Sequence, residues 1–149
     1  MTLPPDLTGC RNVVIDTNVF IYLFEDHPDF ADIAEFIINQ AEADAFSAII
    51  TPITLSEIVV KPYAMQRPDL ADSCIRALRS YRNIRCMNID GKTAQMAGAL
   101  RAQYKKPLPD MFQAAMALQA SVPILITNDN ALRAIKEIQV LTLEDFLEA

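Results

Sequence analysis

The sequence predicts an α/β sandwich built on a mainly parallel central sheet, and three observations carry that prediction. Short apolar runs of strand length alternate with longer segments of helical period. Strands separated by helices cannot join as tight hairpins, so they pair in parallel with helices on both faces. Finally, 149 residues with 52% apolar and 21% charged positions suit one compact domain, expected to span 1–149, with a sizeable core.

Asn12 to Ile15 is the first strand, ended by Asp16, and after the polar Thr17-Asn18 pair Val19 to Phe24 continues as an apolar helix. Phe30, Ile33, Ala34, Ile37 and Ala41 keep helical spacing behind an expected Asp29 N-cap. Phe46 to Ile50 is the second strand. Thr54 to Val60 restarts as a helix that Pro62 ends or kinks, and Asp69 to Arg82 forms another. Ile84 to Ile89 is a strand, Asp90 to Tyr104 a helix opened by an Asp cap, and Lys105 to Pro109 a Pro-punctuated loop. A helix from Asp110 to about Ala120, a buried strand Pro123 to Thr127, a helix from Ala131 to about Ile138, a strand near Val140 and a terminal helix complete the chain.

Composition excludes several classes. Nine Pro and three Gly without low-complexity tracts or repeats argue against disorder and solenoids. The longest apolar stretch, Val13 to Phe24, is broken by Asp16 and Asn18, so no membrane span is expected. Met1 to Asn12 carries no basic run followed by an apolar stretch, from which a cytoplasmic location is expected. Cys10, Cys74 and Cys86 are widely separated and read as reduced core thiols. Thirteen Lys and Arg against nineteen Asp and Glu leave a net charge of −6, so a polyanion must be gripped locally or through a cation.

Loops leaving the carboxyl ends of parallel strands form the crevice where ligands bind. Asp16 closes the first strand, Asp129 follows the strand ending at Thr127, and Glu57 and Asp110 are expected in the first turns of helices. Carboxylates facing one cavity repel one another unless a cation neutralises them. Without a His or Cys cluster zinc is disfavoured, and Mg²⁺ or Mn²⁺ with oxygen ligands fits. His27, beside Pro28, reads as a surface residue. Each acid also has a structural explanation: Thr54-Leu55-Ser56-Glu57 spells a capping box, and Asp110 and Asp129 are suitable N-caps. Asp16 is harder to assign to structure alone, because it interrupts an apolar run where an uncompensated carboxylate is costly to bury.

Val13-Val14-Ile15-Asp16-Thr17-Asn18-Val19-Phe20-Ile21, Thr54-Leu55-Ser56-Glu57-Ile58, Pro109-Asp110-Met111-Phe112-Gln113-Ala114-Ala115 and Ile126-Thr127-Asn128-Asp129 resemble, in order, the motifs of PIN-domain ribonucleases. They are most similar to those of the toxin half of VapBC-type toxin–antitoxin pairs. The resemblance implies a PIN-like three-layer sandwich and an endoribonuclease dependent on Mg²⁺ or Mn²⁺. Asp16, Glu57, Asp110 and Asp129 are its implied catalytic and metal-binding acids, with Asn18 and Thr127 orienting a carboxylate or water. It also implies RNA products with 5′-phosphate and 3′-hydroxyl ends, a homodimer, and a partner antitoxin that inserts a basic group among the acids. Met111, where the family often has Ala, and Asn130-Ala131-Leu132, where Asp-Phe is frequent, depart from the pattern without touching the four acids.

Lys105 and Lys106, just before Asp110, are the expected phosphate contacts, with Tyr104 a stacking candidate. Arg76, Arg79 and Arg82 read as a solvated helix face. Two other functions compete. A haloacid-dehalogenase-like phosphatase also opens with an aspartate after the first strand, but its second acid is replaced here by Asn18. A non-catalytic binding module, in which the acids only cap helices, is the other.

Overall fold

A computed structural model describes residues 1–147; the last two residues of the expected 1–149 domain lie outside that range. Five three-residue strands, β1 (Val13–Ile15), β2 (Ala48–Ile50), β3 (Ile84–Cys86), β4 (Ile124–Ile126) and β5 (Gln139–Leu141), form a sheet in the order β3-β2-β1-β4-β5. Every neighbouring pair in it is parallel. The helices are α1 (Thr17–Phe24), α2 (Ala31–Glu42), α3 (Pro52–Ile58), α4 (Val60–Ala64), α5 (Pro68–Ser80), α6 (Gly91–Tyr104) and α7 (Leu108–Ala117). Among the described residues, no helix is long and apolar enough to cross a membrane.

Successive strand residues point to opposite faces, and that alternation divides the core. Val13, Ile15, Ala48, Ile50 and Ile126 pack with α1, α2 and α3, together with Leu78 of α5. Val14, Ile49, Leu125 and Val140 pack with Ala97 and Leu100 of α6 and with the buried face of α7. Strands buried on both sides read as continuous apolar runs, as β1, β2 and β4 do, and the result is the three-layer α/β/α sandwich expected from the sequence. β1 lies at the centre, with β2 on one side and β4 on the other, so the chain reverses its direction of travel across the sheet there. A crevice opens outside the carboxyl ends of strands at such a point.

Several local expectations are corrected. The predicted capping box at Thr54 does not form. Thr51 is the N-cap of α3, accepting from the Ile53 N–H at 3.2 Å, with Pro52 at the first helical position, where its missing N–H costs nothing. Glu57 therefore lies in the last turn of α3, not the first. Asp29 does not cap α2, which starts at Ala31; its N–H instead donates to His27 Nδ1 at 3.2 Å. His27 is half-buried rather than a plain surface residue, stacked on Phe30 and edge-on to Tyr22. The expected helix to Ile138 is a 3-10 turn, Asn130–Ala134, because Leu132 and Ile135 are buried at three-residue spacing and the chain must return to β5. The terminal helix is likewise 3-10, Leu143–Phe146.

Leu125 is fully buried in β4 between β1 and β5. Leu125→Ala is expected to destabilise the protein by about 2–5 kcal/mol in urea titration. A loss within the ±0.5 kcal/mol or so typical of surface positions contradicts this packing.

Candidate active site

Asp16 follows β1 directly, its N–H held by the Ile126 carbonyl of β4 at 2.8 Å, and is only 5% exposed. A carboxylate buried this deeply requires donors. The first is local: as N-cap of α1, Oδ1 accepts from the Thr17 N–H at 2.8 Å. The second comes from β4, whose following residue Thr127 donates its hydroxyl to Oδ2 at 2.8 Å. The third is Gln113 of α7, whose Nε2 lies 3.4 Å from Oδ1. Burial still outweighs these donors and pushes the Asp16 carboxyl above its ordinary range, with the Asp129 charge adding to the effect.

Asn18 and Thr127, the two expected orienting residues, meet. Asn18 Nδ2 donates to Thr127 Oγ1 at 3.1 Å, while Asn18 Oδ1 accepts from the Asn128 N–H at 3.3 Å. Thr127 Oγ1 also accepts from the Asp129 N–H at 3.1 Å, so one hydroxyl orients the Asp16 carboxylate and the backbone that carries Asp129. Asp129 is exposed and caps the 3-10 turn through the Ala131 N–H at 3.0 Å. Its structural role is thus real, and its second oxygen is left for other partners.

Glu57 is linked to the Asp16 end of α1 through Thr17. Thr17 Oγ1 donates to Glu57 Oε1 at 2.8 Å, tying the first turn of α1 to the last turn of α3. The position corrects the expectation that a helix N-terminus supports this acid, since a helix C-terminus disfavours an anion. Partial burial raises the Glu57 carboxyl, and the neighbouring Asp16 raises it further. Asp110 lies inside the first turn of α7, where Pro107 occupies the cap position and makes no side-chain cap bond, so Asp110 is not the N-cap. Its carboxyl is pushed up to about 6, first by burial and then by Asp16, Asp129 and Glu57, with Lys106 pulling it down.

That set of neighbours brings all four acids into one electrostatic field. Among the described residues, no three His, Cys, Asp or Glu side chains form a ready-made metal cage. The donor set is oxygen-only and anionic, which fits a hard cation that keeps waters and takes one or two carboxylates from the protein. Of the two lysines, it is Lys106 whose charge reaches Asp110; Lys105 adopts a left-handed conformation, φ 56°, to end α6. Tyr104 turns to structural use, donating to Glu137 Oε1 at 2.7 Å and accepting from the Lys136 N–H at 3.2 Å. Arg76, Arg79 and Arg82 are exposed.

The polar residues beneath the acids were not singled out by sequence reasoning. Thr17, Thr51, Thr54 and Gln113 are all buried and hydrogen-bonded. The available signal was Gln113 itself, a polar residue inside the apolar run Met111 to Ala117.

The unfolded chain titrates these acids near their ordinary values, so the folded state holds extra protons at mildly acidic pH. The stability this confers is present below the ordinary carboxylate range and lost as pH rises through about 6 for Asp110. In chelator-treated protein, the melting temperature is therefore expected to fall between about pH 4 and about pH 7, less steeply in Asp110→Asn. Equal slopes in the two proteins count against the raised carboxyl.

The comparisons with known proteins agree with this architecture. The PIN domain family model matches residues 13–138. No curated protein matches the chain in sequence. Among solved structures, VapBC2 from Rickettsia felis bound to a promoter DNA fragment superposes with a TM-score of 0.70 at 18% identity, covering 87% of this chain and 97% of that one. A toxin-antitoxin complex from Klebsiella pneumoniae gives 0.64 at 25% identity over 89% and 98%. DNA-bound VapBC from Salmonella typhimurium gives 0.68 at 18% identity over 89% and 98%. With the family model spanning β1 to the approach to β5, and the five-stranded parallel sheet in place, the chain belongs to the PIN domain family.

Proposed function

We propose that the chain is a Mg²⁺- or Mn²⁺-dependent endoribonuclease, the toxin of a cytoplasmic toxin–antitoxin pair, which hydrolyses RNA phosphodiester bonds at Asp16, Glu57, Asp110 and Asp129. The observation that carries the reading is the gathering of these four acids, from four separated stretches of sequence, into one field around Asp110, whose carboxyl burial first and then the other three acids push up to about 6. Helix capping does not explain it. Glu57 and Asp110 cap nothing, and acids placed only for stability are not expected to be held where they destabilise one another.

In this reading Asp16 and Asp110 hold the cation, and Glu57 and Asp129 complete the acidic rim and orient water. A bound Mg²⁺ or Mn²⁺ supplies Lewis-acid polarisation of the phosphate and makes water a better nucleophile. Thr127 and Asn18 fix the Asp16 carboxylate and the loop bearing Asp129, so little reorganisation is needed when substrate arrives. Lys106, with Lys105 beside it, meets a backbone phosphate next to Asp110 and offsets repulsion between RNA and an acidic protein. Asn18 also weighs against the phosphatase alternative: its side chain is committed to Thr127 and Asn128 and is no acid.

The partner half of the proposal rests on the likeness to toxin–antitoxin complexes and on the surface around α4. A mostly apolar cavity of about 240 Å³, lined by residues including Ile21, Phe24, Ile58 and Pro62, reaches Glu57, the one of the four acids that lines it. It suits an apolar antitoxin segment carrying a basic group. Val60 and Tyr63, 65% and 55% exposed, leave apolar area for a second copy.

Purified protein is expected to cleave single-stranded RNA internally with Mg²⁺ or Mn²⁺ and to stop when the cation is chelated. Folded Asp16→Asn and Asp110→Asn are each expected to lose about 10²–10³-fold in kcat, the scale of removing one stabiliser of transition-state charge. Cleavage that persists in chelator, or at wild-type rate in both variants, overturns the assignment.

A further inference from the structure

Gln113 is fully buried in α7 among Met111, Ala114 and Ala115. An amide in such a place is costly unless both ends are bonded. Both are: Thr51 Oγ1 lies 2.8 Å from Oε1, and Nε2 lies 3.1 Å from Thr54 Oγ1 and 3.4 Å from Asp16 Oδ1.

Counting protons gives these contacts a direction. Thr51 Oγ1 accepts from the Ile53 N–H as the cap of α3, so its one hydroxyl proton is free to donate to Gln113. The amide oxygen therefore faces Thr51, and the two Nε2 protons face Thr54 and Asp16. At the other end, Thr17 spends its one proton on Glu57 Oε1 at 2.8 Å. In the 3.2 Å contact between Thr17 and Thr54, Thr54 must then be the donor. The outcome is a one-way chain of donors from Thr51 through Gln113, Thr54 and Thr17 to Glu57, with a branch from Gln113 to Asp16. It ends on carboxylates, which only accept.

We infer that Gln113 is a positioning residue that holds the Asp16 and Glu57 carboxylates in one mutual arrangement and so sets the affinity of the site for its divalent cation. It acts through those two acids and touches neither cation nor RNA. The inference rests on the metal-dependent reading proposed above. The same hydroxyl of Thr51 starts the helix that carries Glu57 and orients the amide that serves Asp16, which couples the start of α3 to both acids.

The test uses the full chain. Gln113→Met and Thr54→Val remove links of the chain at near-constant volume, and Thr54→Ser keeps the hydroxyl. Calorimetric Mn²⁺ titration is expected to show affinity about 10–100-fold weaker in Gln113→Met and Thr54→Val, the usual consequence of losing an outer support of a metal ligand. Thr54→Ser is expected to retain wild-type affinity, and RNA cleavage by Gln113→Met to lose kcat with KM unchanged. Wild-type Mn²⁺ affinity in folded Gln113→Met and Thr54→Val overturns the inference. If the wild-type chain binds no Mn²⁺, the metal reading fails, and a double-mutant cycle on melting temperature decides the relay by itself. Gln113 and Glu57 share no direct hydrogen bond, so coupled shifts for Gln113→Met and Glu57→Gln support the relay and additive shifts overturn it. Should Gln113→Met not fold, the cycle is run with Thr54→Val.

Discussion

Asp16 stands at the end of the central strand, almost out of reach of water, and the surrounding molecule is arranged to make that tolerable. A lone carboxylate there is too costly to keep charged. Three donors answer it, from the first turn of α1, the end of β4 and the middle of α7. Each requires an element to be docked in register: α1 must begin directly at Thr17, β4 must pair with β1 as Ile15 with Ile126, and α7 must present Gln113 to the sheet. The sheet order is thus tied to the chemistry of one side chain. Even so, burial prevails over the donors, and the residual cost is what a cation is suited to offset.

The acids around it differ in how they are held, and the differences have local causes. Asp129 and Asp16 each accept from the backbone of a helical turn they open. Glu57 has no such support and relies on a single hydroxyl. Asp110 enjoys the favourable end of a helix dipole, yet its carboxyl is raised, because partial burial and three neighbouring acids exceed an effect worth typically about 0.3–1 kcal/mol. Neither a macrodipole argument nor a capping rule alone predicts such a site; the competition among them decides it.

The fold was largely legible in the sequence because the three inner strands β1, β2 and β4 are unbroken apolar runs and each crossover is too long for a hairpin. Asp16 was legible for the same reason, as a charge inside such a run. The misreadings have a common source. Thr54-Leu55-Ser56-Glu57 satisfies a capping rule, but Thr51-Pro52 satisfies a stronger one three residues earlier and shifts Glu57 to the other end of its helix. Asp29 lost its expected role when His27, Tyr22 and Phe30 packed their rings together. The donors beneath the acids were hidden because Thr17, Thr54 and Gln113 become neighbours only after distant segments pack, as the sequence separation of 59 between Thr54 and Gln113 illustrates.

The bond between Thr127 and Asp16 spans 111 positions. During synthesis from the N-terminus, a growing chain can carry Asp16, Glu57 and Asp110 while Thr127 is still inside the ribosome, with β1 lacking its β4 neighbour. Contacts of such long range form late, since the entropy of closing the loop is spent before they return anything. The cleft therefore matures only after β4 and Thr127 have emerged. A PIN domain made on an RNA machine thus keeps its acidic cleft incompletely assembled until β4 and Thr127 have left the ribosome.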